Sequence, residues 1–137
     1  MDDCIFCKII SGDIPSAKIF EDDEFIAFLD ISPANKGHTL IVPKQHYDTY
    51  IEASEIIVCK MAKLAQKIAK AIVTSTNCTG YNIQINNNKD AGQEVPHLHM
   101  HIIPRFKVDD FKLAWTHKIY SDGEMNKFAD EIKGNLE

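Results

Sequence analysis

Gln93-Glu94-Val95-Pro96-His97-Leu98-His99-Met100-His101-Ile102-Ile103-Pro104 sets a histidine at every second position from 97 to 101, with Leu98, Met100 and Ile102 in the gaps. Strict alternation is the pattern of a half-buried strand, so His97, His99 and His101 are predicted to share one face. At a rise of about 3.3 Å per residue, alternate side chains lie roughly 6.6 Å apart, too far for ring-to-ring contact but able to surround a small anionic or metal-bound group. Pro104 is expected to end the ladder. Three titratable rings on one face are costly to desolvate unless metal, phosphate or hydrogen-bond partners compensate. Two chemistries suit such a row. His-x-His pairs chelate zinc with an open position for water, or an imidazole nitrogen attacks phosphorus or carbonyl while its other nitrogen orients the ring.

The 137 residues suffice for one domain with a real core, taken as 1–137 without repeat or linker. A formal net charge of −5 argues against a general nucleic-acid binder, although it does not exclude a single nucleotide. There is no apolar run of membrane-spanning length and no signal peptide, so no membrane association is expected and the expected compartment is the cytoplasm. In that compartment two disulfides among Cys4, Cys7, Cys59 and Cys78 are the weaker reading. Cys4-Ile5-Phe6-Cys7 has the spacing of half a zinc site and needs two more ligands from elsewhere, whereas Cys59 and Cys78 read as packing residues.

Along the chain, Cys4 to Ile10 suggests a short helical turn broken at Ser11-Gly12-Asp13. Lys18 to Glu21 and Phe25 to Asp30 read as a hairpin across Asp22-Asp23-Glu24, and His38 to Pro43 as a third, buried strand with His38 at its start. A long helix follows to about Thr76, opening at either Thr49, with Glu52 as a capping box, or Ser54. Its stripe of Ile57, Met61, Leu64, Ile68 and Ile72 is the core face; Lys60, Lys63, Lys67 and Lys70 are read as a solvated outer face. Gly80 to Asn86 is a fourth alternating strand, and the loop after it brings Asn86 and loop amides toward the imidazoles, where amides can cradle an anion. Beyond Arg105 the sheet pattern stops. Ser121 and Glu124 form a second capping box ahead of an amphipathic helix carrying Met125, Phe128, Ala129, Ile132 and Leu136.

The run His97-Leu98-His99-Met100-His101-Ile102-Ile103 resembles the signature of the histidine triad (HIT) family. Cys4 to Ile10, Phe28 to Pro33, Gly37 to Lys44 and Ala91 to Gln93 are similar to further family blocks in the family's order, so the resemblance covers about residues 4–105 and leaves 106–137 as an extension. It implies an α+β fold, an antiparallel sheet of about five strands with the long helix on one face, and a homodimer. It also implies hydrolysis or transfer at the α-phosphorus of a purine nucleotide such as an AMP or GMP derivative, phosphoramidates among them. By position, His99 would be the nucleophile that becomes nucleotidylated, supported by His101 and His38. Asn86, Gly92, Gln93 and His101 would hold the phosphate, and Asp30 the ribose hydroxyls. Phe6, Ile9, Phe28, Ile31 and Leu40 would line the base slot. Carried over in the same way, Cys4, Cys7, His46 and His97 would bind a structural zinc ion, a closed Cys2His2 set.

Glu94 departs from the serine or threonine that many relatives carry on the leaving-group side, and a carboxylate there adds negative charge beside a negative substrate. Two other functions remain open on the sequence: a non-catalytic nucleotide-binding module, and a zinc hydrolase using His97, His99 and His101 as metal ligands.

Overall fold

The computed structural model describes residues 3–136. In chain order it contains α1 (Ile5–Ser11), β1 (Lys18–Glu21), β2 (Phe25–Leu29), β3 (Thr39–Pro43), α2 (Glu55–Thr76), β4 (Gly80–Gln84), β5 (Met100–Arg105) and α3 (Glu124–Gly134), with single 3-10 turns at Tyr50–Glu52 and Lys89–Ala91. The five strands form one antiparallel sheet in the order β1-β2-β3-β5-β4. This is the α+β architecture expected from the sequence. None of the described helices is long and apolar enough to cross a membrane.

Both faces of the sheet are covered, which is why β2 and β3 read as continuous apolar runs. Phe25, Ala27, Ile41, Leu98, Met100 and Ile102 pack beneath α2, which buries Met61, Leu64, Ala65, Ile68, Ala69 and Ile72. The alternating residues Ile26, Phe28, Leu40 and Val42 face the other way and pack with Cys4 and Phe6 of the N-terminal turn. Full burial of one Leu, Ile or Met side chain stabilises by about 1.5–3 kcal/mol, so truncating Met61 or Ile68 to Ala should cost about 2–5 kcal/mol.

Of the two candidate starts for α2, Ser54 is the N-cap, its Oγ accepting from the Ile57 N–H. The Thr49 and Glu52 pair is real but closes the preceding 3-10 turn, with Thr49 Oγ1 donating to Glu52 at 2.9 Å. The second capping box is half made. Ser121 N–H donates to Glu124 Oε1 at 3.1 Å, but Gly123 occupies the N-cap and α3 buries no residue.

The histidine strand differs from expectation in three ways. Regular pairing begins only at Met100, because Val95 to His97 is a bend, closed by His97 N–H on Val95 O at 2.8 Å. Pro104 does not end the ladder but lies within β5, opposite Tyr81. A strand residue directs its N–H and carbonyl to the same side, and the Pro104 carbonyl accepts from Asn35 Nδ2 at 2.9 Å, on the side where pairing with β3 has already ended at Ile102. No ladder bond is therefore missing. Lastly, the rings do meet, with His99 and His101 centroids 4.9 Å apart and their planes at 60°.

Candidate functional site

The site is an imidazole row on the α1 side of the sheet, running from two thiols at one end to Asp30 at the other. His38 precedes β3, His101 is on β5, and Leu40 pairs with His101 across the strands. Gly37, at φ +100°, makes the turn before His38, and a Cβ there would lie 2.9 Å from Thr76 Cγ2. Phe6 stands against the row, its ring centroid 5.0 Å from His99 and 6.0 Å from His97, both edge to face.

Hydrogen bonds decide which nitrogen of each ring carries a proton. The Ala34 N–H donates to His38 Nδ1 at 3.0 Å, so His38 holds its proton on Nε2 and donates it to His101 Nδ1 at 2.9 Å. His101 is then left with a free Nε2–H. At the nucleophile candidate the order is reversed: His99 Nδ1–H donates to the His97 carbonyl at 2.6 Å, which leaves the lone pair on Nε2.

At the thiol end, His97 Nε2–H donates to the Pro43 carbonyl at 2.8 Å and His46 Nε2–H to Asp48 Oδ1 at 2.7 Å, so both present Nδ1 lone pairs. Cys4 Sγ is 3.4 Å from His97 Nδ1, and Cys7 Sγ is 3.4 Å from His46 Nδ1 and 3.6 Å from His97 Nδ1.

Burial favours the neutral form of His38, His97, His99 and His101. His97 and His101 are each pushed down to about 4, first by desolvation and then, net of the Pro43 bond at His97, by neighbouring imidazoles. His38 is lowered by burial against the opposing pull of Asp30. His99 is lowered by burial too, although the His97 carbonyl, Asp30 and Glu94 all favour its charged form. Burial, then Cys4, raises the Cys7 thiol.

The four candidate metal ligands come together, their donor atoms all within 4.8 Å of one another. Thiolate and imidazole bonds of about 2.3 and 2.0 Å at tetrahedral angles imply sulfur to nitrogen separations of roughly 3.5 Å, which this set matches. Asp30, His38 and His101 form the other such group among the described residues; His97, His99 and His101 do not form one. Asp30 Oδ2 lies 3.8 Å from His38 Nε2, while its Oδ1 accepts from the Ser32 N–H. Phe6, Phe28 and Leu40 are buried in the core behind the row, Ile9 is partly buried beside them, and Ile31 is 93% exposed.

The loop before β5 is organised differently from expectation. The Gly92 N–H donates to Lys89 O and the Gln93 N–H to Asn88 O, so the amides anticipated as a phosphate cradle are already engaged in closing the 3-10 turn. Gln93 acts as a brace, its Nε2 donating to the Asp48 carbonyl at 2.7 Å and its Oε1 accepting from Asn88 N–H. Asn86 Nδ2 keeps only a 3.5 Å contact to Gly92 O. The exposed Glu94 lines a cleft of about 580 Å³ with Asp48, Thr49, Lys89 and Gln93.

Sequence reasoning missed Asp48, whose signal was a carboxylate two residues after a candidate ligand. It also missed the Ala34 amide and the Pro43 and His97 carbonyls, which no residue type announces.

A row of imidazoles on a five-stranded antiparallel sheet defines a class, and the chain is a member of the HIT family, whose domain matches residues 11–108. It is 44% identical to the adenylylsulfatase HINT3 of Arabidopsis thaliana, over 98% of this chain and 70% of that one. It is 37% identical to the adenosine 5′-monophosphoramidase hnt1 of Schizosaccharomyces pombe, over 97% and 98% of the two chains. A HIT family protein from Bacillus subtilis of known crystal structure superposes with a TM-score of 0.92 at 42% identity, covering 98% of each chain.

Proposed function

We propose that this protein hydrolyses purine nucleotide derivatives at the α-phosphorus, an adenosine phosphoramidate or related nucleotidyl conjugate being the substrate, through a nucleotidyl group carried on His99. The observation that carries this reading is the hydrogen bond from His99 Nδ1–H to the His97 carbonyl, which leaves Nε2 as the nucleophilic lone pair. Relatives at 44% and 37% identity bear the names adenylylsulfatase and adenosine 5′-monophosphoramidase, both activities on adenylyl compounds.

In the first step His99 Nε2 bonds to phosphorus and the bond from phosphorus to the leaving amine breaks. The amine departs with that electron pair and takes a proton from water. The positive charge on the ring is stabilised through Nδ1–H at the His97 carbonyl. In the second step water attacks phosphorus, the phosphorus to Nε2 bond breaks, the nucleoside monophosphate leaves and the water's proton balances the one taken up earlier. His101 Nε2–H, locked in that tautomer by His38, donates to a phosphoryl oxygen, and Asn86 Nδ2 is the second donor. Asp30 meets the ribose. Glu94 faces the leaving group and selects among leaving groups by charge.

Cys4, Cys7, His46 and His97 would hold a zinc ion, which when bound would cross-link the α1 turn to the sheet. The chain acts as one unit, 1–137, and pairs with a second copy; β4 is an edge strand with Tyr81 and Ile83 about half exposed, a surface suited to being covered. The test is steady-state hydrolysis of adenosine 5′-phosphoramidate by wild type and His99→Ala. Turnover lost in the variant supports the reading; turnover retained, or AMP bound without any turnover by the wild type, would replace it with another nucleophile or a binding module.

A further inference from the structure

We propose that the thiol and imidazole set positions the nucleophile, so that zinc held by Cys4, Cys7, His46 and His97 governs the catalytic step as well as the local fold. The inference rests on the hydrolase and zinc readings above and adds a function to the metal end of the row.

Three contacts join that end to the reacting end. His97 offers Nδ1 to the thiols while its own carbonyl anchors His99 Nδ1–H at 2.6 Å, so one residue is both metal donor and the group that sets the orientation of the nucleophile. Phe6 follows Cys4 by two residues, on a helix whose first turn is capped by Cys4 Sγ accepting from the Cys7 N–H, and its ring walls His99 at 5.0 Å. The third route passes through Asp48. Its carboxylate takes the His46 Nε2–H at 2.7 Å and its carbonyl takes Gln93 Nε2 at 2.7 Å, while Gln93 Oε1 accepts from Asn88 N–H in the loop that carries Asn86.

A metal serving only as a distant staple would need none of these links. The α1 helix has seven residues, far fewer than an isolated helix needs to persist, so the position of Phe6 depends on what pins its N-terminal turn. Freed ligands would let the His97 ring turn, its carbonyl shift and the Phe6 wall relax. Misplacement of a nucleophile by about 1 Å lowers rates by about 100-fold.

The test compares full-length protein loaded with zinc chloride and the same protein stripped by a chelator under reducing conditions. Readouts are the nitrogen–proton NMR signal of His99 Nδ1–H, AMP affinity, the melting curve, and kcat and KM for adenosine 5′-phosphoramidate. We expect stripped protein that still binds AMP to lose kcat by about 10- to 100-fold with KM little changed, and to lose or broaden the His99 Nδ1–H signal. The exposed Cys59→Ser variant should show the same zinc dependence as wild type. Unchanged kcat and an unchanged His99 signal in folded, stripped protein would overturn the proposal, as would failure to bind zinc at all. If stripping unfolds the chain, Phe6→Leu decides: with four ligands intact and zinc stoichiometry unchanged, kcat should fall more than KM moves and the His99 signal should shift. No change in either contradicts the proposal. Should the loaded protein never turn over the phosphoramidate, the hydrolase reading fails, while the response of the His99 signal to zinc still tests the positioning role.

Discussion

The two ends of the imidazole row use one residue type in opposite ways. At the thiol end His46 and His97 commit Nε2–H to Asp48 and to Pro43, and turn Nδ1 lone pairs toward sulfur. Two residues beyond His97, His99 commits Nδ1–H to the main chain and turns Nε2 outward, and His101 accepts at Nδ1 to keep a proton on Nε2. The difference is made almost wholly by which nitrogen an oxygen acceptor or an amide donor has taken. In the proposed function, ligand, nucleophile and hydrogen-bond donor would be three products of one side chain under different backbone constraints.

If this division is right, substitutions along the row should differ in kind as well as in size. The largest effect is expected for His99→Ala, a fall in kcat of at least about 10³-fold with zinc content unchanged, read by steady-state kinetics beside metal analysis. His101→Ala should cost about 10²- to 10³-fold in kcat, since it removes a donor to the developing phosphoryl charge while leaving the nucleophile. Asp48→Asn should weaken zinc binding by about 10- to 100-fold in a competition titration, with a smaller effect on turnover at saturating zinc. Equal losses of zinc and turnover in all three variants would erase the distinction between the ends.

The smallest effect concerns pH. Folding lowers His101 to about 4 and also lowers His38, both chiefly by burial. The unfolded chain therefore binds their protons near the ordinary value of about 6.5 while the folded one does not. These two rings should leave stability unaffected above about pH 6.5 and reduce it as pH falls from there toward 4. Melting temperatures measured across that range should slope less in His101→Gln than in wild type.

Much of this was legible in the sequence, and the exceptions share a cause. Alternation from His97 to Ile103 placed the histidines on the face opposite α2, and the continuous apolar run of β3 marked a buried strand. Spacing in Cys4 and Cys7 indicated half of a metal site, and the resemblance to a family supplied His46 and His97 as the other half. What stayed hidden was the backbone. The bend before Met100, the harmless Pro104 and the engaged amides of Gly92 and Gln93 all depend on where carbonyls and N–H groups point, which side-chain patterning does not encode. Of the capping signals, Ser54 marked the start of α2 correctly, while the two capping boxes misled for a related reason. Thr49 with Glu52 and Ser121 with Glu124 each make a local bond, but neither sits where a full α-helical cap is needed. The α3 stripe of Met125, Phe128 and Ile132 was read correctly as amphipathic, yet it remains exposed on this chain.

The most direct measurement is to mix the protein with excess adenosine 5′-phosphoramidate, quench in base within the first turnovers, and map any nucleotidyl adduct by peptide mass spectrometry. The account predicts an adenylyl group on His99 that forms and decays at rates compatible with kcat and is absent in His99→Ala. Turnover without an adduct on His99, or an adduct on another residue in a competent enzyme, would contradict it.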